Sequence, residues 1–276
     1  MELKKFFPLL ILSIVLLCSC RPSNPLVLHP EKKVAAQVFE PIPADFIPRK
    51  ITILSAGDSL TQGVGDSTDQ GGYLPYLKSM LENDKGIQEV DFYNFGVKGN
   101  RTTQLLKRLK TQEIKPIIKS ADMVILTIGG NDIMKIVKEN ISNLQVSDFL
   151  EEKESYRKHL TQIFNEIITE NPNVSIVLVG VYNPFSKYFS DIKEMDQIVA
   201  EWNQAGQSVV NQYSNSYFVS IEDLFINAKE DILYTDNFHP NNKGYELIAH
   251  RLNETLDEQV LPNLVKKAYT VSTEEN

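Results

Sequence analysis

A serine hydroxyl becomes a useful nucleophile only when a base takes its proton during attack. In this chain of 276 residues the two side chains suited to that exchange are Ser59, within Gly57-Asp58-Ser59-Leu60, and His239, within Asp236-Asn237-Phe238-His239-Pro240. The other histidines fit less well. His159 and His250 fall in helical stretches, where a surface or partly packed role is expected, and His29 lies in a proline-rich segment. Asp236 stands three residues before His239, a spacing that lets its carboxylate accept from the imidazole Nδ1–H and turn Nε2 toward the serine. Taken alone, Asp236 would serve equally as a cap or turn residue ahead of the last helix. The negative charge that develops on an attacked carbonyl needs fixed donors. The backbone N–H groups of Ser59 and Gly99 and the side-chain amide of Asn131 are candidates, although each nearby glycine could instead mark an ordinary turn.

These residues must be positioned by the elements around them. Short runs rich in Val, Ile, Tyr and Phe alternate with longer amphipathic ones from Ile51 onward. The expected strands are Ile51 to Ser55, Val90 to Phe95, Met123 to Ile128, Ser175 to Val181 and Tyr217 to Ile221. Several are apolar on both faces, as in a parallel sheet covered on both sides. The expected helices are Tyr73 to Asn83, Thr103 to Ser120, Val146 to Asn171, Met195 to Ser214 and Asn241 to Val260. Such alternation argues one α/β domain with a parallel sheet, whose functional groups collect at the carboxyl ends of the strands. Ser59, Gly99, Asn131 and the Asp236–His239 pair all follow expected strands. Asp58 reads as a buried carboxylate that orders its loop, Asp132 as a residue that starts the next helix or loop, and Trp202, with Ile198 and Ala205 at helical spacing, as core.

Composition excludes several alternatives. The chain is 42% hydrophobic and 23% charged, ordinary for a globular protein, and its net charge of -8 offers no basic surface to a nucleic acid. Two cysteines and four histidines make a disulfide scaffold or a multi-ligand zinc site hard to assemble. No HExxH and no Walker loop occurs, and Thr61 stands where the Gly-x-Ser-x-Gly elbow of the α/β-hydrolases requires its last glycine.

Together the blocks resemble the GDSL, or SGNH, hydrolase family across Ile51 to about Leu256. Gly57-Asp58-Ser59-Leu60 matches the first block, Gly99 within Gly96-Val97-Lys98-Gly99-Asn100 the second, Gly130-Asn131-Asp132 the third, and Asp236-x-x-His239 with Pro240 the last. The resemblance implies a flavodoxin-like three-layer α/β/α sandwich with a five-stranded parallel sheet. It also implies no cofactor and a serine esterase or lipase acting through an acyl-serine. Ser59, Asp236 and His239 would be catalytic, and Ser59, Gly99 and Asn131 would form the oxyanion hole. Family members cleave lipid or lysophospholipid esters and remove acetyl groups from glycans, so both substrate classes are expected. A non-catalytic binding lipoprotein is disfavoured by the intact Ser59, Asp236 and His239.

The first fifty residues have another character. Lys4 and Lys5 precede a mostly apolar run from Phe6 to Cys18. As a helix it would reach about 20 Å, short of the ~30 Å hydrocarbon core, so it reads as a secretory signal over residues 1–19. Leu17-Cys18-Ser19-Cys20 resembles the lipobox of bacterial lipoproteins, which makes Cys20 the expected lipidation site and membrane anchor of an exported protein. Residues 20–50 carry six of the thirteen prolines and are expected to be an extended spacer to a domain at 51–265, followed by a polar tail at 266–276. After the fourth strand, Tyr182, Phe185, Tyr188 and Phe189 either line an acyl groove or pack their loop onto the domain. Ile133 to Phe149 is expected to be a long excursion serving as a wall or lid.

Overall fold

The computed structural model describes residues 48–140, 145–186, 193–226, 228 and 230–264. The expected signal and tail, the spacer as far as residue 47, Cys20, Tyr188 and Phe189 lie outside them, and the spacer's expected last residues, Arg49 and Lys50, already open the first strand. Five strands, β1 (Arg49–Gly57), β2 (Ile87–Gly96), β3 (Met123–Thr127), β4 (Ser175–Val179) and β5 (Ser216–Val219), pair in the order β2-β1-β3-β4-β5, every pair parallel. That is the flavodoxin-like order, with its topological switch point between β1 and β3.

Period-2 side-chain direction explains the doubly apolar strands. On one face Leu54, Ala56, Val124, Leu126, Ile176 and Leu178 join a core completed by α3 (Thr102–Leu109), α4 (Lys115–Ser120), α5 (Gly130–Glu139), α6 (Val146–Glu170) and α7 (Lys193–Val210). On the other, Ile51, Ile53, Met123, Ile125, Val177 and Val179 meet α2 (Leu74–Leu81), α8 (Glu222–Ile226) and α9 (Asn242–Thr255). The result is a three-layer α/β/α sandwich. Trp202 is buried in the first core, as its spacing predicts, with Tyr156 stacked on it at 5.9 Å.

Register matters most for the site. Gly57 pairs with Gly96 and with Thr127, Thr127 with Val179, and Val179 with Val219. The last residues of all five strands therefore form one row across the sheet, and every loop that leaves it starts from the same edge.

Two expected elements differ. The single helix over Thr103 to Ser120 is broken into α3 and α4, because Pro116 has no N–H to donate and is accommodated only in the first turn of a helix. Most of the expected excursion from Ile133 to Phe149 is helical: α5 covers Ile133 to Glu139 and α6 begins at Val146. At the far end α9 runs on through a π-turn at Leu256–Val260.

Candidate active site

The exit from β1 is built around close contact with β3. A Cβ on Gly57 would lie 2.0 Å from the Thr127 carbonyl oxygen, and its φ of +155° lies where side-chain-bearing residues are rarely found. Asp58 then donates its N–H to that carbonyl at 3.0 Å. Its carboxylate accepts from Leu60 N–H and from the Thr127 hydroxyl, both at 3.0 Å, capping the short helix α1 (Ser59–Gln62). Ser59 is thus the first helical residue, and its N–H has no partner within the helix. The expected loop-ordering role of Asp58 agrees with these contacts.

His239 arrives on a loop fixed by its own short bridge and turn. Leu233 and Pro240 form an isolated antiparallel bridge, Tyr234 N–H donates to His239 O at 2.7 Å, and Asn237 takes the left-handed turn with φ +54°. Asn241 caps α9 by accepting from Gly244 N–H and donates to the carbonyls of Asp231 and Leu233. Within that frame His239 Nε2 stands 2.9 Å from Ser59 Oγ, and His239 Nδ1 stands 2.6 Å from Asp236 Oδ2. The other oxygen of Asp236 accepts from the N–H groups of Phe238 and His239, each at 3.0 Å. Both readings of Asp236 hold at once: it shapes the turn and it grips the ring. Burial works to raise its pKa, but the bonds from the His239 side chain and the two backbone amides outweigh that and keep it below the ordinary carboxylate value.

Of the two remaining candidate donors, Asn131 shares the cavity with Ser59 and Gly99 does not. Asn131 lies in the first turn of α5, and one hydrogen of its amide is given to Asn100 O at 3.1 Å, which leaves the second. Asn100 belongs to the turn after β2, where Gly99 has φ +81° and a Cβ would meet nothing within 4 Å. Backbone conformation rather than space therefore calls for glycine there. Asp132 orders the same region by accepting from Thr102 N–H and its hydroxyl, which couples α3 to α5. Ser59, Asp236 and His239 are brought into direct contact, and Asn131 is tied to the residue beside Gly99. Gly99 sits on an exposed turn and does not line the cavity beside Ser59. Among the described residues no cluster of three or more His, Cys, Asp or Glu could hold a metal.

A buried hydroxyl chain beneath the serine was not visible in the pattern of blocks. Thr127 donates to Asp58, so its 2.7 Å contact with Thr61 is donated by Thr61, whose own oxygen then accepts from Tyr73 at 3.1 Å. All three hydroxyls point their hydrogens toward the Asp58 carboxylate. The only sequence signal was a threonine ending an otherwise apolar strand, Met123-Val124-Ile125-Leu126-Thr127.

Burial nevertheless dominates at Asp58 and pushes its pKa from 3.8 up to about 7, against the hydrogen bonds from Leu60 and Thr127 that lower it. Between these values the folded chain holds a proton that the unfolded chain has released. Stability from this group is thus full below pH 3.8 and is lost as pH rises to about 7, by at most about 4 kcal/mol. Asp58→Asn keeps an oxygen for both donors and removes the titration. Its denaturant midpoint is expected to gain on the wild type steadily from pH 4 to 7, whereas parallel curves would show an unshifted carboxyl.

The Tyr182 segment packs its loop and also faces the serine. The Tyr182 ring stacks on Phe225 at 3.7 Å and its hydroxyl donates to Phe238 O at 2.7 Å, so this tyrosine links the loop after β4 to the His239 loop.

The profile of the GDSL-like Lipase/Acylhydrolase family matches residues 55–247. The chain belongs to this family. This GDSL acylhydrolase is 40% identical over 215 residues to the uncharacterized protein YpmR of Bacillus subtilis (strain 168), a match covering 77% of this chain and 84% of that one. It is 26% identical over 203 residues to the spore germination lipase LipC of Bacillus licheniformis, covering 71% and 92%. Its fold is similar to that of the lipase Lip_vut3 from a goat rumen metagenome, with a TM-score of 0.66 at 24% identity over 74% of this chain and 96% of that one. A catalytic mutant of Axe2, an acetylxylan esterase from Geobacillus stearothermophilus, gives 0.58 at 20% identity over 75% and 94%. As a GDSL-type esterase/lipase, the protein is a carboxylic ester hydrolase.

Proposed function

We propose that this hydrolase works through an acyl enzyme on Ser59, with His239 as general base and acid and Asp236 as the group that holds His239. The observation that carries the reading is the continuous contact from Asp236 Oδ2 through both ring nitrogens to Ser59 Oγ, at 2.6 and 2.9 Å. As Oγ forms its bond to the acyl carbon, Nε2 takes the hydroxyl proton. The carbon–alcohol bond then breaks and Nε2 returns that proton to the departing oxygen. Water attacks the acyl-serine by the reverse sequence: its proton goes to Nε2, and Ser59 recovers one as the carboxylic acid leaves. The oxyanion falls to the N–H of Ser59 and the free hydrogen of the Asn131 amide, which line the cavity, and the N–H of Gly99 joins them only as its turn, tied to Asn131 through Asn100 O, closes on the bound ester.

A serine-reactive alkyl phosphonate tests the nucleophile. Peptide mapping must place the label on Ser59, and a label elsewhere overturns the assignment. Asn131→Ala is expected to lower kcat by about 10²–10³ while leaving the circular dichroism unchanged. A loss below about threefold would remove Asn131 from the oxyanion hole.

The sequence pattern further supports an exported lipoprotein: a signal over residues 1–19, an acylated Cys20, a proline-rich spacer to about residue 50 and the acylhydrolase domain beyond it. An enzyme so tethered reaches lipid esters and cell-wall glycan esters alike. The spore germination lipase LipC falls on one side of that choice, and the probable rhamnogalacturonan acetylesterase YesY of Bacillus subtilis (strain 168), 28% identical over 110 residues covering 40% of this chain and 45% of that one, on the other. In a Gram-positive host Cys20→Ser should move the protein from the membrane fraction to the medium. Retention of the variant with the membrane would contradict the anchor.

A further inference from the structure

We propose that the cavity beside Ser59 is an acyl pocket built for short chains, acetyl to butyryl, and that Val181 and Ile128 set that limit. The inference rests on the acyl-Ser59 reading and specifies which half of the ester the pocket takes.

The cavity opens at Ser59, Asn131 and His239 and runs between the carboxyl ends of β3 and β4. Asp58 and Thr127, hydrogen-bonded to each other, also touch it at the Ser59 end, and the other walls come from Ile128, Val179, Val181, Tyr182, Pro184 and Phe238. Such walls accept hydrocarbon without stranding a polar group. A sugar or glycerol alcohol placed there would lose water and find few partners. The acyl chain is therefore the occupant, and the alcohol departs on the open side past His239.

Size follows from the cavity volume of about 50 Å³. A water-sized group needs about 10–15 Å³ on this measure, which leaves room for roughly three to five heavy atoms. The cavity includes the space beside Ser59, Asn131 and His239 where the reacting carbonyl sits, so acetyl brings three heavy atoms into it and butyryl five. Longer chains must displace a wall.

The walls do not yield easily. Val181 is pinned on both sides by Asn203, giving its N–H to Oδ1 at 2.8 Å and taking Nδ2–H on its carbonyl at 2.9 Å. Tyr182 is held by Phe225 and by the Phe238 carbonyl, and Phe238 packs on the His239 ring at 5.0 Å. Behind the pocket, a Cβ on Gly180 would already stand 2.9 Å from both Asn203 Oδ1 and the Phe218 ring. Widening the pocket breaks buried hydrogen bonds and shifts the loop that carries the base.

The test is a series of p-nitrophenyl esters from acetate to decanoate, each below its aggregation limit, with the full mature chain. We expect kcat/KM to stay within about tenfold from acetate to butyrate and to fall by at least about tenfold from butyrate to octanoate. Equal or greater kcat/KM on octanoate or decanoate overturns the proposal without any variant. Val181→Ala, and separately Ile128→Ala, should raise the hexanoate-to-acetate ratio of kcat/KM by about fivefold or more. Ratios unchanged in both variants, with the wild-type near-ultraviolet dichroism retained, would show that these side chains do not bound the acyl group. Phosphonate labelling separates this failure from a failure of the mechanism: a labelled Ser59 with long-chain preference rejects only the pocket, and an unlabelled Ser59 rejects both.

Discussion

Ser59→Ala is expected to lower kcat for an aryl ester by about 10⁵–10⁶ and to abolish phosphonate labelling, with no change in fold. The kinetic loss is large because the hydroxyl, the imidazole and the carboxylate act as one unit: without Oγ, the contact to Nε2 leads nowhere. The fold should survive for local reasons. Ser59 makes its side-chain hydrogen bond to His239, while the cap of α1 is supplied by Asp58, and alanine is a good helix former at an early helical position. A preparation free of host esterase that keeps more than about a tenth of the wild-type rate would place the nucleophile elsewhere.

Asp236→Asn should cost about 10⁴ in kcat, and it separates the two jobs this residue performs. The amide oxygen can still accept from the Phe238 and His239 N–H groups, so the turn is preserved. The amide nitrogen, however, would face His239 Nδ1, where a carboxylate oxygen now stands at 2.6 Å. An amide N–H there donates to Nδ1 and drives the ring proton to Nε2, which can then no longer accept from Ser59. Near-normal kcat in the variant would mean that Asp236 only shapes the chain. The wild-type carboxylate is held below its usual pKa by the same three bonds, so it is ionised at neutral pH.

The parts of the fold that were legible in the sequence are those set by short-range periodicity. The central strands were recognisable because residues such as Met123 to Thr127 must satisfy an apolar layer on both faces, and the edge strands β2 and β5 by their Val, Tyr and Phe. The long helix α6 starts at Val146 as its pattern predicts and ends at Glu170, where Asn171-Pro172 stops it. Helix boundaries inside Thr103 to Ser120 were less legible, because an amphipathic pattern continues through Pro116 while the backbone cannot. In Ile133 to Glu139, one turn of polar residues beside Gly129 and Gly130 concealed a helix that packs Ile133 and Ile136 into the core.

The site divides along the same line. Residue type and order were enough to single out Ser59, Gly99, Asn131, Asp236 and His239, because acyl-transfer chemistry restricts each role to a few side chains. The Asp236–His239 contact was also readable, since three residues of chain hold it. Ser59 and His239 are 180 positions apart, and their contact depends on a parallel register that ends every strand in one row and on the Asn241-capped loop that returns to it. Likewise the Tyr73–Thr61–Thr127–Asp58 hydroxyl chain, the Asn203 clamp on Val181 and the Tyr182–Phe238 link join residues from separate elements. The chain by itself determined the candidate catalytic residues, the layer order of the fold and the family. Tertiary structure alone decided the size of the acyl pocket and the raised pKa of Asp58, because both arise from which distant side chains fill the space around a group and exclude water from it.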